Sequence, residues 1–210
     1  MKIKILIILG ALALLALGGG LFLYTKQTNQ NPSPVPPPPP APVGSVSNDD
    51  GSSVVPADWK KYQNTEGRYS IFYAPDWEMD QALLANNELK TFYTKGSTPP
   101  EGFFIIQNLN EPGAAVLSYL DNTYAKEFRS QALTGTLAEE RVVIQGRQAI
   151  SLEAQIKNTE TQETVTSYLL LIEAGANGQP GLAISAIMSG SKLEQIIDSV
   201  LKMTLSLRLS

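Results

Sequence analysis

A chain of 210 residues has room for one ordinary domain plus accessory length, and this one sets 16 basic against 20 acidic residues, net −4. It contains no cysteine and no histidine. That composition excludes disulfides, thiolate metal sites, serine triads, cysteine–histidine pairs, histidine zinc sites and histidine phosphorelays.

The first segment is apolar. Ile5 to Tyr24 is a run of 20 residues without a charge, and 12 of them are Leu, Ile or Phe. A helix rising about 1.5 Å per residue would span a hydrocarbon core of roughly 30 Å over that length. Those side chains favour insertion by about 4–7 kcal/mol. Lys2, Lys4 and the terminal amine precede the run and only Lys26 closely follows it. By the positive-inside rule, residues 1–26 are expected to form an uncleaved signal anchor with its N-terminus cytoplasmic. Everything after Lys26 then lies outside the cytoplasm, at the cell membrane. A cleaved signal peptide is the competing reading, with Ala16-Leu17-Gly18 as its small-x-small site. The apolar Leu21-Phe22-Leu23-Tyr24 that follows argues for retention.

Residues 27–55 read as a spacer. Pro32-Ser33-Pro34-Val35 leads into five prolines, Pro36 to Pro40, then Ala41-Pro42. Such a run takes up polyproline II at about 3.1 Å per residue, a stalk of roughly 35 Å. The polar stretch Gly44 to Val54 has too few apolar groups to offset its ordering entropy, so disorder is expected there.

Residues 56–210 carry the patterning of a folded domain, with 13 basic and 18 acidic side chains and no basic stripe, which argues against nucleic acid as a partner. Lys60 to Gln63 and Arg68 to Tyr73 read as strands around an Asn64-Thr65-Glu66-Gly67 turn, the second ended by Pro75-Asp76-Trp77. Glu88 to Tyr93 and Gly102 to Gln107 are further strands, separated by the Gly96 to Pro100 turn. Glu111-Pro112 has the chemistry of a helix start. Leu117, Leu120, Tyr124 and Phe128 then recur on one helical face. Arg141 to Gln145, Gln148 to Ile156, Thr164 to Ile172 and Leu182 to Met188 are strand-like. Ile150, Leu152, Ala154 and Ile156 alternate as on a half-buried strand, while Leu169 to Ile172 is continuously apolar and predicts burial on both faces. Ser191-Lys192-Leu193-Glu194 has capping-box spacing, and Leu193, Ile196, Ile197, Val200 and Leu201 form the stripe of a last helix. Hairpin order predicts an α+β fold with a mainly antiparallel sheet and two principal helices.

Trp59 to Trp77 resembles the opening of the PsbP-like (Mog1/PsbP/DcrB-like) superfamily. The resemblance is carried by Tyr62, Asn64, Gly67, Tyr69, Ser70, Ile71, Tyr73, Pro75 and Trp77, with Ala74 interrupting a tyrosine–proline pair that is usually adjacent. It implies an α/β/α sandwich around an antiparallel sheet over residues 56–210. Members of that superfamily include photosystem II extrinsic subunits, a Ran-binding protein and tethered bacterial proteins, and the membership implied is mostly non-enzymatic. Metal-binding histidines of the plant members have no counterpart here, and no cofactor is expected.

Few candidate sites stand out. Trp59, Tyr62, Tyr73 and Trp77 surround the first hairpin and read as an aromatic binding patch or, more simply, as core. Asp76, Glu78 and Asp80 lie close in sequence and could collect a hard cation, but lack a glycine-punctuated loop and read better as a solvated turn. No feature selects a carboxylate pair for hydrolysis. The functional expectation is a non-catalytic extracytoplasmic module that binds an envelope protein or a small ligand, with an Asp/Glu hydrolase as the alternative.

Overall fold

The computed structural model describes residues 52–80, 89–98, 100–158 and 161–210. The span expected over 5–24 and the spacer through residue 51 lie outside them. Among the described residues no helix is long and apolar enough to cross a membrane.

Lys60–Asn64 (β1) and Tyr69–Tyr73 (β2) form the expected hairpin, with Tyr62 facing Ile71. Its turn is specified by side chains. The Asn64 Oδ1 accepts the Gly67 N–H at 2.8 Å, and its Nδ2 donates to the Tyr69 hydroxyl at 3.3 Å. A Cβ on Gly67 would come within 2.7 Å of the Asn108 amide, so the position needs glycine. Pro75 and Asp76 follow the end of β2 as expected, but Trp77 opens a strand of its own. Trp77–Met79 (β3) leaves the hairpin and pairs with Leu89–Thr94 (β4).

Gly102–Leu109 (β5), Ala138–Ile144 (β6), Arg147–Lys157 (β7), Thr164–Ile172 (β8) and Gly181–Met188 (β9) complete the main sheet. Among the described residues it has seven strands in the order β3-β4-β5-β9-β8-β7-β6, and each neighbouring pair is antiparallel. The C-terminal Arg208–Leu209 (β10) joins β2 to make a second sheet, β1-β2-β10.

Each face of the main sheet has its own cover. On one, Phe92, Phe104, Ile106, Leu170, Ile172, Leu182 and Ile184 pack with Tyr69 and Ile71 of the small sheet. Ile196, Val200 and Met203 of the last helix, Leu193–Leu205 (α2), complete that core. On the other, Ile150, Leu152, Leu169 and Leu171 pack against the middle helix. Leu169 to Ile172 is therefore buried on both sides, as its unbroken apolarity requires. Each such side chain contributes about 1.5–3 kcal/mol of burial.

Both helices differ in detail from their sequence signals. Glu111-Pro112 opens only a 3-10 turn, Pro112–Ala115. Val116 is extended, and the helix starts at Leu117. Leu117–Leu120, Asp121–Ala125 and Lys126–Gln131 then run as one helix, α1, whose middle turn is π-helical. Leu120, Tyr124 and Phe128 keep to the sheet, with Leu117 beside them. The capping box does not form: Lys192 is the N-cap, with no side-chain bond. The chain reaches it through Gly190 at φ +86, which leaves Ser191 one residue short of the capping position. Leu201 is 48% exposed, and Met203 takes its place in the core.

Side chains clip the tail: Gln145 grips it at Leu207 and Leu209, and the Gln179 amide donates to the Ser210 carbonyl at 2.7 Å. Gln145 and Gly146, at φ +50 and +83, make the two-residue turn between β6 and β7. The Gln145 amide donates to the Leu207 carbonyl at 2.8 Å and accepts the Leu209 N–H at 2.9 Å. A side chain thereby takes the place of a neighbouring strand along β10. Substituting Gln145→Ala removes both bonds and is expected to cost about 1–3 kcal/mol in urea unfolding of the full chain. A change below about 0.3 kcal/mol would show that the tail holds without the clip.

Candidate functional site, a mixed-charge cleft

A cleft of about 130 Å³ opens between β3, the β4–β5 turn and the first turns of α2. Asp76, Lys95, Ser97, Glu101, Lys192 and Gln195 form its polar rim, over Trp77 and Ile196. Local rules set this arrangement. The Lys95 N–H donates to the Asp76 carbonyl at 2.8 Å, and its ammonium donates to the Pro75 carbonyl at 2.9 Å. Gly96, at φ +90, turns the chain away from β4. The Thr94 hydroxyl then accepts the Gly102 N–H at 3.0 Å, and the Glu101 carbonyl accepts the Ser189 N–H at 2.8 Å. That last bond ties the rim to the chain entering α2.

Gly102 is the tightest point of the floor. A Cβ there would lie 2.8 Å from Ile196 Cγ2, 3.0 Å from Thr94 Cγ2 and 3.2 Å from the Trp77 ring. Helix α2 can approach β5 this closely only over a residue without a side chain.

The four aromatic candidates lie in or against the core. Trp77 is 1% exposed, and Trp59, Tyr62 and Tyr73 are half-buried against the same cluster. The Tyr62 and Tyr73 rings sit 5.9 and 5.1 Å from the Phe92 ring. Lys60 and Lys61 lie over the rings of Tyr73 and Phe72 at 5.9 and 5.4 Å. Asp76 and Glu78 are exposed, and among the described residues no three acidic side chains converge as metal ligands would.

No family model matches the chain. No curated protein matches it. Among solved structures, Mog1p, a Ran-binding protein of Saccharomyces cerevisiae, aligns at 13% identity and TM-score 0.47, covering 72% of this chain and 95% of Mog1p. The chain is similar in fold to Mog1p. A Pseudomonas aeruginosa protein of unknown function aligns at 16% identity and TM-score 0.48, over 72% of this chain and 97% of that one. A Bacteroides thetaiotaomicron protein aligns at 15% identity and TM-score 0.42; the match covers 72% of this chain and about half, 48%, of that protein.

The motif residues have structural work in this chain. Asn64, Gly67 and Tyr69 build the first turn, and burial holds the Tyr69 hydroxyl's pKa well above its ordinary value, against the Asn64 hydrogen bond that lowers it. Ala74, where the pattern departs, is 5% exposed and accepts the Trp77 N–H at 3.0 Å.

A second charged cluster joins α1 to β6. The Arg129 guanidinium grips both carboxylate oxygens of Glu139, at 2.8 and 2.7 Å, and meets Asp121 at 2.5 Å. Arg141 pairs with the other Asp121 oxygen at 2.7 Å. The Arg129 hydrogen bond holds the Glu139 carboxyl below its ordinary range, the opposite of what a general acid needs.

Lys95, Glu101, Lys192 and Gln195 carried no sequence signal as a site. The Gly96 to Pro100 turn was visible as a turn, but nothing local reveals that α2, about ninety residues on, returns to it. Gly102→Ala is expected to cost about 1–3 kcal/mol, checked by thermal unfolding of the full chain. For Glu139, a pKa lowered on folding means stability present above about pH 4.3 and lost as pH falls. The stability gap between the parent and Glu139→Gln should therefore shrink on acidification below that pH.

Proposed function

We propose that the domain is a non-catalytic binding or assembly module that acts on an envelope protein, held outside the cytoplasm by an uncleaved N-terminal span. The cleft carries this reading. At about 130 Å³ it is well short of the roughly 300–1,000 Å³ of small-molecule pockets. It is large enough to receive one or two side chains of a protein partner. Its rim sets two carboxylates beside two ammonium groups, an arrangement that selects by charge pattern more than by raw affinity. The apolar run before residue 26 and the proline-rich spacer support the location: the span would supply the tether and the spacer the reach.

A photo-crosslinking residue at Ser97 in the full-length chain, expressed in its native membrane, tests the proposal. One discrete adduct is expected, weakened about tenfold or more in yield by a Lys192→Glu change on the opposite rim. Absence of any adduct from Ser97, or an adduct indifferent to rim charge, would remove the cleft as a docking site.

A further inference from the structure

Among the described residues, strand β6 is the long open edge of the main sheet. The opposite edge strand, β3, has three residues, and β1 at the edge of the small sheet carries Lys60 and Lys61. Short edges and lysines are the usual guards against strand addition. β6 has seven residues, without proline, lysine or a break in register against β7. From Ala138 to Arg141 every residue is exposed, and Leu137 and Val143 beside this stretch are 40% and 42% exposed.

The β6–β7 turn determines which backbone groups face outward. Ile144 and Arg147 flank its two residues and form the hydrogen-bonded pair that closes it. Pairing alternates along an antiparallel ladder, so residues 138, 140, 142 and 144 direct their N–H and C=O groups to β7. Residues 139, 141 and 143 direct theirs away from the sheet.

We propose that this edge pairs with β6 of a second copy of the chain, antiparallel, with Glu140 on the two-fold axis. In that register Glu139 of each copy faces Arg141 of the other, and Leu137 faces Val143. The outward groups of 139 and 141 meet as hydrogen-bonded pairs, which a two-fold axis through residue 140 requires. The charges fit as well. Within one copy, Arg141, Asp121, Arg129 and Glu139 form a chain of alternating sign, open at both ends. Arg141 ends that chain with its side chain 59% exposed. The two-fold axis joins the Glu139 end of each chain to the Arg141 end of the other and closes a ring of eight alternating charges. Glu140 facing its own copy opposes association, and the strand contact is small, so the dimer is expected to be weak and dynamic.

The absence of cysteine makes the test direct. Glu140→Cys in the full-length chain puts two thiols opposite each other at a separation a disulfide spans. Under mild oxidation it should give a species of twice 22.7 kDa, at least about ten times faster than Glu153→Cys on the adjacent strand. In sedimentation equilibrium of the cysteine-free chain, Glu140→Gln should tighten association roughly two- to fivefold. Arg141→Glu should abolish it. Preferential cross-linking of Arg141→Cys would place a different residue on the axis and overturn the proposed register. Rates no higher than the Glu153→Cys control would overturn the pairing altogether.

Discussion

The contact between Phe92 and the aromatic residues of the small sheet is what the remainder of the structure depends on. A hairpin extended by a two-residue strand cannot hold itself together in water, so its apolar face has to be buried elsewhere. Phe92, on β4 and fully buried, provides the place. Tyr62 and Tyr73 meet its ring from above, and Phe104 meets it from within the main sheet at 6.2 Å and 67°. Each pair adds about 0.5–1.5 kcal/mol to the area buried. With the small sheet in place, β2 offers an edge to β10, and the Ser206 hydroxyl accepts the Phe72 N–H at 2.9 Å just beyond that pairing.

Both surfaces with a proposed role lie where this covering ends. Helix α2 lies over the main sheet on the same side as the small sheet, and its close approach across Gly102 leaves the polar cleft at its first turn. On the other face α1 covers β7 and β8 but meets β6 through ions and not apolar packing. The first half of the edge strand, Ala138 to Arg141, is consequently exposed, while Val142 and Ile144 pack against the core on the opposite face. A carboxylate such as Glu139 is suited there to holding elements together, because Arg129 keeps it ionised.

Much of the architecture was legible because it follows from short-range pattern. The apolar run from Leu169 to Ile172 read as a strand covered on both sides, and Leu117, Leu120, Tyr124 and Phe128 read as one helix face. Where reading failed, a distant contact had overruled a local rule. Ser191 and Glu194 have capping spacing, but Gly190, pressed against Glu101, brings the chain in at a different angle. Val116 is extended where a helix had been expected to run from Pro112, and the Tyr119 ring lies against Gly113. Trp77 marked the end of β2 correctly and concealed a third strand. The cleft was the least legible feature, since its two sides are joined only by tertiary packing and its rim residues are ordinary surface types.

Hydrogen exchange of the full-length Phe92→Ala chain is the most direct measurement of the sheet-to-sheet contact. Truncating a fully buried phenylalanine costs about 3–5 kcal/mol overall. Amides of residues 60–73 and 206–210 should lose protection together, while those of β8 stay slowest to exchange. Protection of residues 60–73 equal to that of the parent chain would contradict the dependence on Phe92.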